Sequence, residues 1–180
     1  MTRLSPEELV QRARKLRLLL FDVDGVLTDG RLTLDGEGIE AKQFHIRDGA
    51  AIVWAERAGL MTGVLSARVS RATERRAAEL RMRIVSQGVA DKRAGYAEIL
   101  ATHGLTDEEV AFMGDDLLDG PVLSRVGMSA APADAVAEVR TRVHWISARN
   151  GGQGAVREFI EMILTARGQW DAIVRQYLGA

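Results

Sequence analysis

Two carboxylates one residue apart close an apolar run in Leu18-Leu19-Leu20-Phe21-Asp22-Val23-Asp24-Gly25. Along a strand, residues two apart point to the same side, so Asp22 and Asp24 crowd one space. About 4 Å apart, at an effective dielectric of about 20, such a pair repels by about 4 kcal/mol, a large part of a small domain's stability. A divalent cation or a protonation difference relieves that conflict. The plainer reading is a pair of turn aspartates before Gly25. Further reactive residue types follow later apolar runs: Ser66, Lys92, Asp115 with Asp116, and Asp119. Each alone reads as a helix cap or a solvated charge at a helix start. Together they supply a nucleophilic carboxylate, a second carboxylate to move a proton, a hydroxyl and an ammonium for phosphoryl oxygens, and acids for Mg²⁺. That is a working set for phosphoryl transfer through an aspartyl-phosphate.

The elements needed to bring these residues together follow from periodicity. Short apolar runs alternate with helical patterns, which predicts an α/β fold, a Rossmann-like doubly wound and mostly parallel sheet. Strands are expected over 18–22, 62–66, 83–86, 110–115, 127–130 and 143–146, and helices over 48–58, 70–80, 93–103 and 155–166. The polar residues then fall at the carboxyl ends of four strands, the edge where open α/β sheets bind ligands. One segment breaks the alternation. Residues 30–44, punctuated by Gly36 and Gly38, read as a β-hairpin projecting from the sheet. The tail over 169–180 carries Trp170, Ile173, Val174, Tyr177 and Leu178 at helical spacing, either as a last packed helix or as an arm for a neighbouring subunit.

Composition narrows the partners. A chain of 180 residues suits one domain over 1–180. With 24 Lys and Arg against 25 Asp and Glu, nothing calls for nucleic acid or an anionic membrane surface, and a small ligand is expected. The absence of Cys removes thiol catalysis and thiolate metal sites and leaves oxygen ligands suited to Mg²⁺. No run reaches membrane-spanning length and residues 1–15 lack the apolar core of a signal peptide, so a cytoplasmic enzyme is expected.

Asp22-Val23-Asp24-Gly25-Val26, Ser66, Lys92 and Gly114-Asp115-Asp116 resemble, in order, the four motifs of the haloacid dehalogenase superfamily of phosphohydrolases. Within it the chain is most similar to the 3-deoxy-D-manno-octulosonate 8-phosphate phosphatase family. The shared pieces include Phe44-His45-Ile46-Arg47-Asp48-Gly49, Gln87-Gly88 before Asp91-Lys92, and Gly151-Gly152-Gln153-Gly154. The resemblance implies catalytic roles for Asp22 as nucleophile, Asp24 as acid and then base, and Ser66 and Lys92 as holders of phosphoryl oxygens. It implies that Asp22, the Asp24 carbonyl and Asp115 hold Mg²⁺, and that Asp24, His45, Ile46, Arg47, Asp48, Gly49, Arg68, Arg76 and Lys92 face the substrate. Arginine suits a 2-keto sugar acid, whose carboxylate and phosphate both pair with guanidinium. Ala67 and Val53 depart from the family's pattern, so the substrate is less firmly implied than the reaction.

Chain length excludes a cap domain, because Asp22 and Ser66 are 44 positions apart and Ser66 and Lys92 only 26. The capless branch implies a homotetramer whose hairpins form a shared barrel and whose neighbours line each site. The implied activity is hydrolysis of the eight-carbon sugar phosphate in lipopolysaccharide biosynthesis. The alternatives are a phosphatase of a sialic-acid-type 9-phosphate and a phospho-accepting signalling receiver. Receivers place the accepting acid on a middle strand, whereas Asp-x-Asp here follows the first.

Overall fold

The computed structural model describes residues 4–179. Its centre is β1 (Leu18–Phe21), four apolar residues buried on both faces, as an interior parallel strand requires. It pairs in parallel with β4 (Met61–Leu65) on one side and β6 (Val110–Met113) on the other. Beyond β4 lies β5 (Ile84–Ser86), and beyond β6 lie β7 (Met128–Ala131) and then β8 (Trp145–Ile146). The order is β5-β4-β1-β6-β7-β8, every neighbour parallel. The chain therefore leaves β1 in one direction, returns, and builds outward on the other side. The crevice outside the carboxyl ends of β1 and β6 is the topological switch point.

Side chains alternating along β1 feed two cores. Leu19 and Phe21 enter the one that holds Ile52 of α2 (Ile46–Arg57), Ala77 of α3 (Arg71–Glu79) and Phe159 of α7 (Ala155–Ala166). Leu18 and Leu20 enter the other, with Tyr96 and Ile99 of α4 (Lys92–His103), Val122 of α5 (Gly120–Leu123) and Val139 of α6 (Ala137–Arg140). The expected strands and helices are all present, with no edge shifted by more than two residues. The projecting hairpin is present as β2 (Thr33–Leu34) and β3 (Glu40–Ala41), a separate antiparallel pair whose turn is held by Asp35 Oδ1 accepting the N–H of Glu37 and Ile39. Neither gap between the reactive residues holds a cap.

Two helices flank this frame. α1 (Pro6–Lys15) is additional to the expected elements and opens with a reciprocal cap between Ser5 and Glu8. α8 (Trp170–Leu178) packs on α2, with Trp170 and Tyr177 both against Trp54 at 5.6 and 5.7 Å between ring centres. The Arg157 guanidinium lies over both tryptophans. Within this chain the tail is thus a helix packed on its own domain, residue 180 lying outside the described part. Among the described residues no helix is long and apolar enough to cross a membrane.

Candidate active site

Each reactive side chain sits where a strand gives out. Asp22 follows β1, and its N–H donates to the Met113 carbonyl of β6 at 3.0 Å. Ser66 follows β4, anchored by its N–H to the Ser86 carbonyl, and its Oγ accepts the N–H of Arg68. Asp91 caps α4 by accepting the N–H of Arg93 and Ala94, which sets Lys92 on the first helical turn. Asp115 lies two residues beyond β6. A cleft of about 260 Å³ at the switch point is lined by Asp22, Asp24, Ser66, Lys92, Asp115 and Asp119, among others.

Lys92 is the hub. Its ammonium stands 2.9 Å from Asp22 Oδ1 and 2.6 Å from Asp119 Oδ1. Burial works against that charge, but the two carboxylates outweigh it and hold the Lys92 pKa above its usual value. The acids move the other way. Burial, reinforced by the charge of Asp119 and opposed by Lys92, pushes Asp22 up to about 6. Asp115 is pushed up to about 8, by burial first and then by Asp119, Asp22 and Asp116. The cleft holds five carboxylates against two cations, Lys92 and Arg68.

That imbalance fits a hard cation. Carboxylate oxygens of Asp22, Asp115 and Asp119 lie within 4.8 Å of one another. Asp119 is already spent: one oxygen takes Lys92, and the other accepts the N–H of Asp115 at 2.9 Å and of Asp116 at 3.3 Å. Asp115 Oδ1 is buried without a hydrogen-bond partner. Asp22 and Asp115 are therefore the acids open to a metal, with Asp119 fixing the loop that carries Asp115. Gly25 backs this pair with a left-handed φ of 86°, and a Cβ there would overlap the Asp115 carboxylate. Behind it, the N–H of Gly152 donates to the Val26 carbonyl, and a Cβ on Gly151 would strike the Gly25 carbonyl. Gly151 to Gly154 thus shape the back of the aspartate loop and do not line the acidic cleft.

Residues 64–160 match the family model of haloacid dehalogenase-like hydrolases. The chain is 39% identical over 165 residues to the 3-deoxy-D-manno-octulosonate 8-phosphate phosphatase KdsC of Yersinia pestis, covering 92% of this chain and 88% of that protein. It belongs to that phosphatase family. Among solved structures, a probable YrbI family phosphatase from Pseudomonas syringae matches with a TM-score of 0.93 at 43% identity, over 96% of this chain and 98% of that one. The Moraxella catarrhalis 3-deoxy-D-manno-octulosonate 8-phosphate phosphatase, solved with magnesium, phosphate and KDO, matches with a TM-score of 0.93 at 31% identity, over 95% and 98%. Membership in a hydrolase family displaces the signalling-receiver alternative.

Not every residue implied by the family resemblance reaches the cleft. Arg68 lines it, half-exposed at the mouth. His45 and Arg47 instead line a second cleft of about 580 Å³ with Arg149 and Arg157. Asp48 is buried, and its carboxylate accepts the N–H of Gly154 at 3.3 Å and of Arg157 at 2.7 Å, so it caps α7. Gly49 leaves room for the Arg76 guanidinium, which pairs with Glu79 at 2.9 Å away from the acidic cleft. Ile46 is exposed on the surface of α2 and is not among the residues lining that cleft. Within one chain these four do not meet the substrate side of Asp22.

Two residues beside the site escaped the sequence reading, Glu40 and Lys42 of the hairpin, both ion-paired in the space around Asp24. The burial of Asp119 makes a direct expectation. Asp119→Ala leaves Lys92 short of one partner and two N–H groups without an acceptor, and should cost about 3–5 kcal/mol. Urea unfolding measures it, and a cost under about 1 kcal/mol would contradict the buried network described here.

Proposed function

We propose that the chain hydrolyses 3-deoxy-D-manno-octulosonate 8-phosphate to the free sugar acid and inorganic phosphate, with the phosphoryl group carried in transit on Asp22. The observation that carries the reading is the convergence of Asp22, Asp24, Ser66, Lys92 and Asp115 on one cleft from positions more than ninety residues apart. The relatives' substrate supports the choice of sugar phosphate.

Asp22 and Asp115, with the backbone carbonyl of Asp24, would hold Mg²⁺, consistent with the oxygen-only donor set and the unpartnered Asp115 Oδ1. When bound, Mg²⁺ supplies the positive charge that lets a phosphate dianion enter an acid-lined cleft. Asp22, with its pKa near 6, is ionised at neutral pH. One of its oxygens bonds to phosphorus as the ester P–O bond breaks, and Asp24 gives its proton to the departing sugar oxygen. Asp24 then takes a proton from water as the water oxygen bonds to phosphorus and the Asp22–phosphorus bond breaks, releasing phosphate. Ser66 and Lys92 hold the equatorial oxygens, where charge spreads in the transition state. Arg68 at the mouth is placed for the sugar's carboxylate.

The same reading assigns the cytoplasm as compartment and a homotetramer as assembly, supported by the exposed Leu32, Leu34 and Ile39 on the hairpin. In that assembly His45 and Arg47 serve a neighbouring copy's substrate, and Ile46, Asp48, Gly49 and Arg76 shape the face that carries them. Phosphate release from purified protein with Mg²⁺ tests the substrate. We expect kcat/KM for the eight-carbon ester to exceed that for a nine-carbon sialic-acid-type 9-phosphate by about tenfold or more. The reverse preference overturns the substrate, and silence toward every phosphomonoester overturns the chemistry.

A further inference from the structure

We infer that Lys42, on the hairpin, is the positioning residue for Asp24, so that the appendage and not the sheet aims the proton-transferring carboxylate. The inference rests on the phosphatase reading above and adds a residue that the motifs do not contain.

The hairpin is exposed from residue 31 to residue 39, yet the Lys42 side chain just beyond β3 is only 2% exposed. Taking an ammonium out of water costs several kcal/mol unless it is paired. Lys42 donates to Asp24 Oδ1 in a short contact and stands 3.4 Å from Glu40 Oε1. From the opposite side, Arg68 Nε lies 3.3 Å from Asp24 Oδ2, while its terminal nitrogen donates to Glu40. Asp24, Lys42, Glu40 and Arg68 close a ring of alternating charge in which each oxygen of Asp24 meets one cation. The two cations are unequal. Arg68 is 50% exposed and so competes with water and substrate for its partners, whereas Lys42 is dry. The fixed contact of Asp24 is therefore the one that comes from the hairpin, at Oδ1, and Oδ2, which Arg68 gives up to substrate, is the oxygen left to carry the transferred proton.

Proton transfer to a leaving oxygen needs the donor within hydrogen-bond reach and correctly turned, and a displacement of about 1 Å costs about 10²-fold. Removing Lys42 frees the Asp24 side chain to rotate toward Arg68 and solvent without touching Asp22, Ser66 or Lys92. The defect should then follow the leaving group. A sugar alkoxide needs the proton of Asp24 as the P–O bond breaks. A p-nitrophenolate leaves as a stable anion and does not.

The test is the first-turnover rate of Lys42→Met, with Mg²⁺ present, on the eight-carbon sugar phosphate and on p-nitrophenyl phosphate, beside wild type and Asp24→Asn. We expect Lys42→Met to be slowed about 30- to 100-fold on the sugar ester and less than about threefold on the aryl ester, with Asp24→Asn showing the same split. If Lys42→Met does not fold, Lys42→Gln is measured in its place. Equal losses on both esters, or no loss on either, would overturn the positioning role. Wild-type silence on both esters is a different result, removing the phosphatase reading and this inference with it.

Discussion

Asp22→Asn should abolish phosphate release, lowering kcat on the order of 10⁴-fold or more, and should leave the fold as stable as before or more so. The two halves of this expectation have one cause. The amide has nearly the shape of the carboxylate but no anionic oxygen to bond to phosphorus. It also ends a repulsion, because burial and Asp119 together push the Asp22 pKa up to about 6, so at neutral pH the ionised group costs the folded state free energy. Lys92 keeps Asp119 at 2.6 Å as its remaining partner. Phosphate release and a melting curve on the same preparation give both readings. A variant that keeps its activity removes Asp22 as the phosphoryl carrier. One that is inactive because it is unfolded contradicts the electrostatics of the cleft.

Removing divalent cations should make the protein progressively less stable as the pH rises. Asp115 is pushed up to about 8 in the fold from an ordinary carboxylate value, so between those limits the folded state binds the extra proton. A raised pKa stabilises fully below the unfolded value, and that contribution is lost as pH climbs through the folded one. Asp22, raised to about 6, adds the same trend at lower pH. His144 opposes them there, since burial lowers its pKa to about 4 and its contribution is lost as pH falls from about 6.5. Above pH about 6.5 the slope belongs mainly to Asp115. About 1.5 pH units at about 1.4 kcal/mol each gives about 2 kcal/mol, or about 4–8 °C in Tm. Melting in EDTA from pH 6.5 to 8.5 should show that fall, and millimolar Mg²⁺ should raise Tm more at pH 8.5 than at 6.5, because only the ionised acids bind it. A flat profile in EDTA with a pH-independent effect of Mg²⁺ would refute this account of Asp115.

The frame was legible because its signals are local. Leu18 to Phe21 form a buried strand, and the alternation around it dictated a parallel sheet whose switch point collects Asp22, Ser66, Lys92 and Asp115. α1 was missed although Ser5, Pro6 and Glu8 spell a capped start, because charges scattered through 7–15 hide its apolar side, of which only Ala13 is buried. Asp48 and Arg76 have structural partners within the chain that no motif discloses. What decides their role is a helix cap over a hundred residues away for one and a packing slot at Gly49 for the other. Lys42 and Glu40 left no sequence signal at all. Their partners are 18 and 28 positions distant, and an ion pair across such a gap has no periodicity to betray it.

The wedge of Gly151 and Gly152 behind Val26 and Thr28 also sets a schedule for biosynthesis. The loop that bears the paired aspartates emerges early from the ribosome, yet its rear support arrives about 125 residues later and is held in place by Asp134 and the start of α7. A nascent chain stalled before that point lacks both this support and the α7 side chains that cover β1. Pocket and core are therefore completed by the same late stretch of chain, and neither closes until the carboxyl end has emerged.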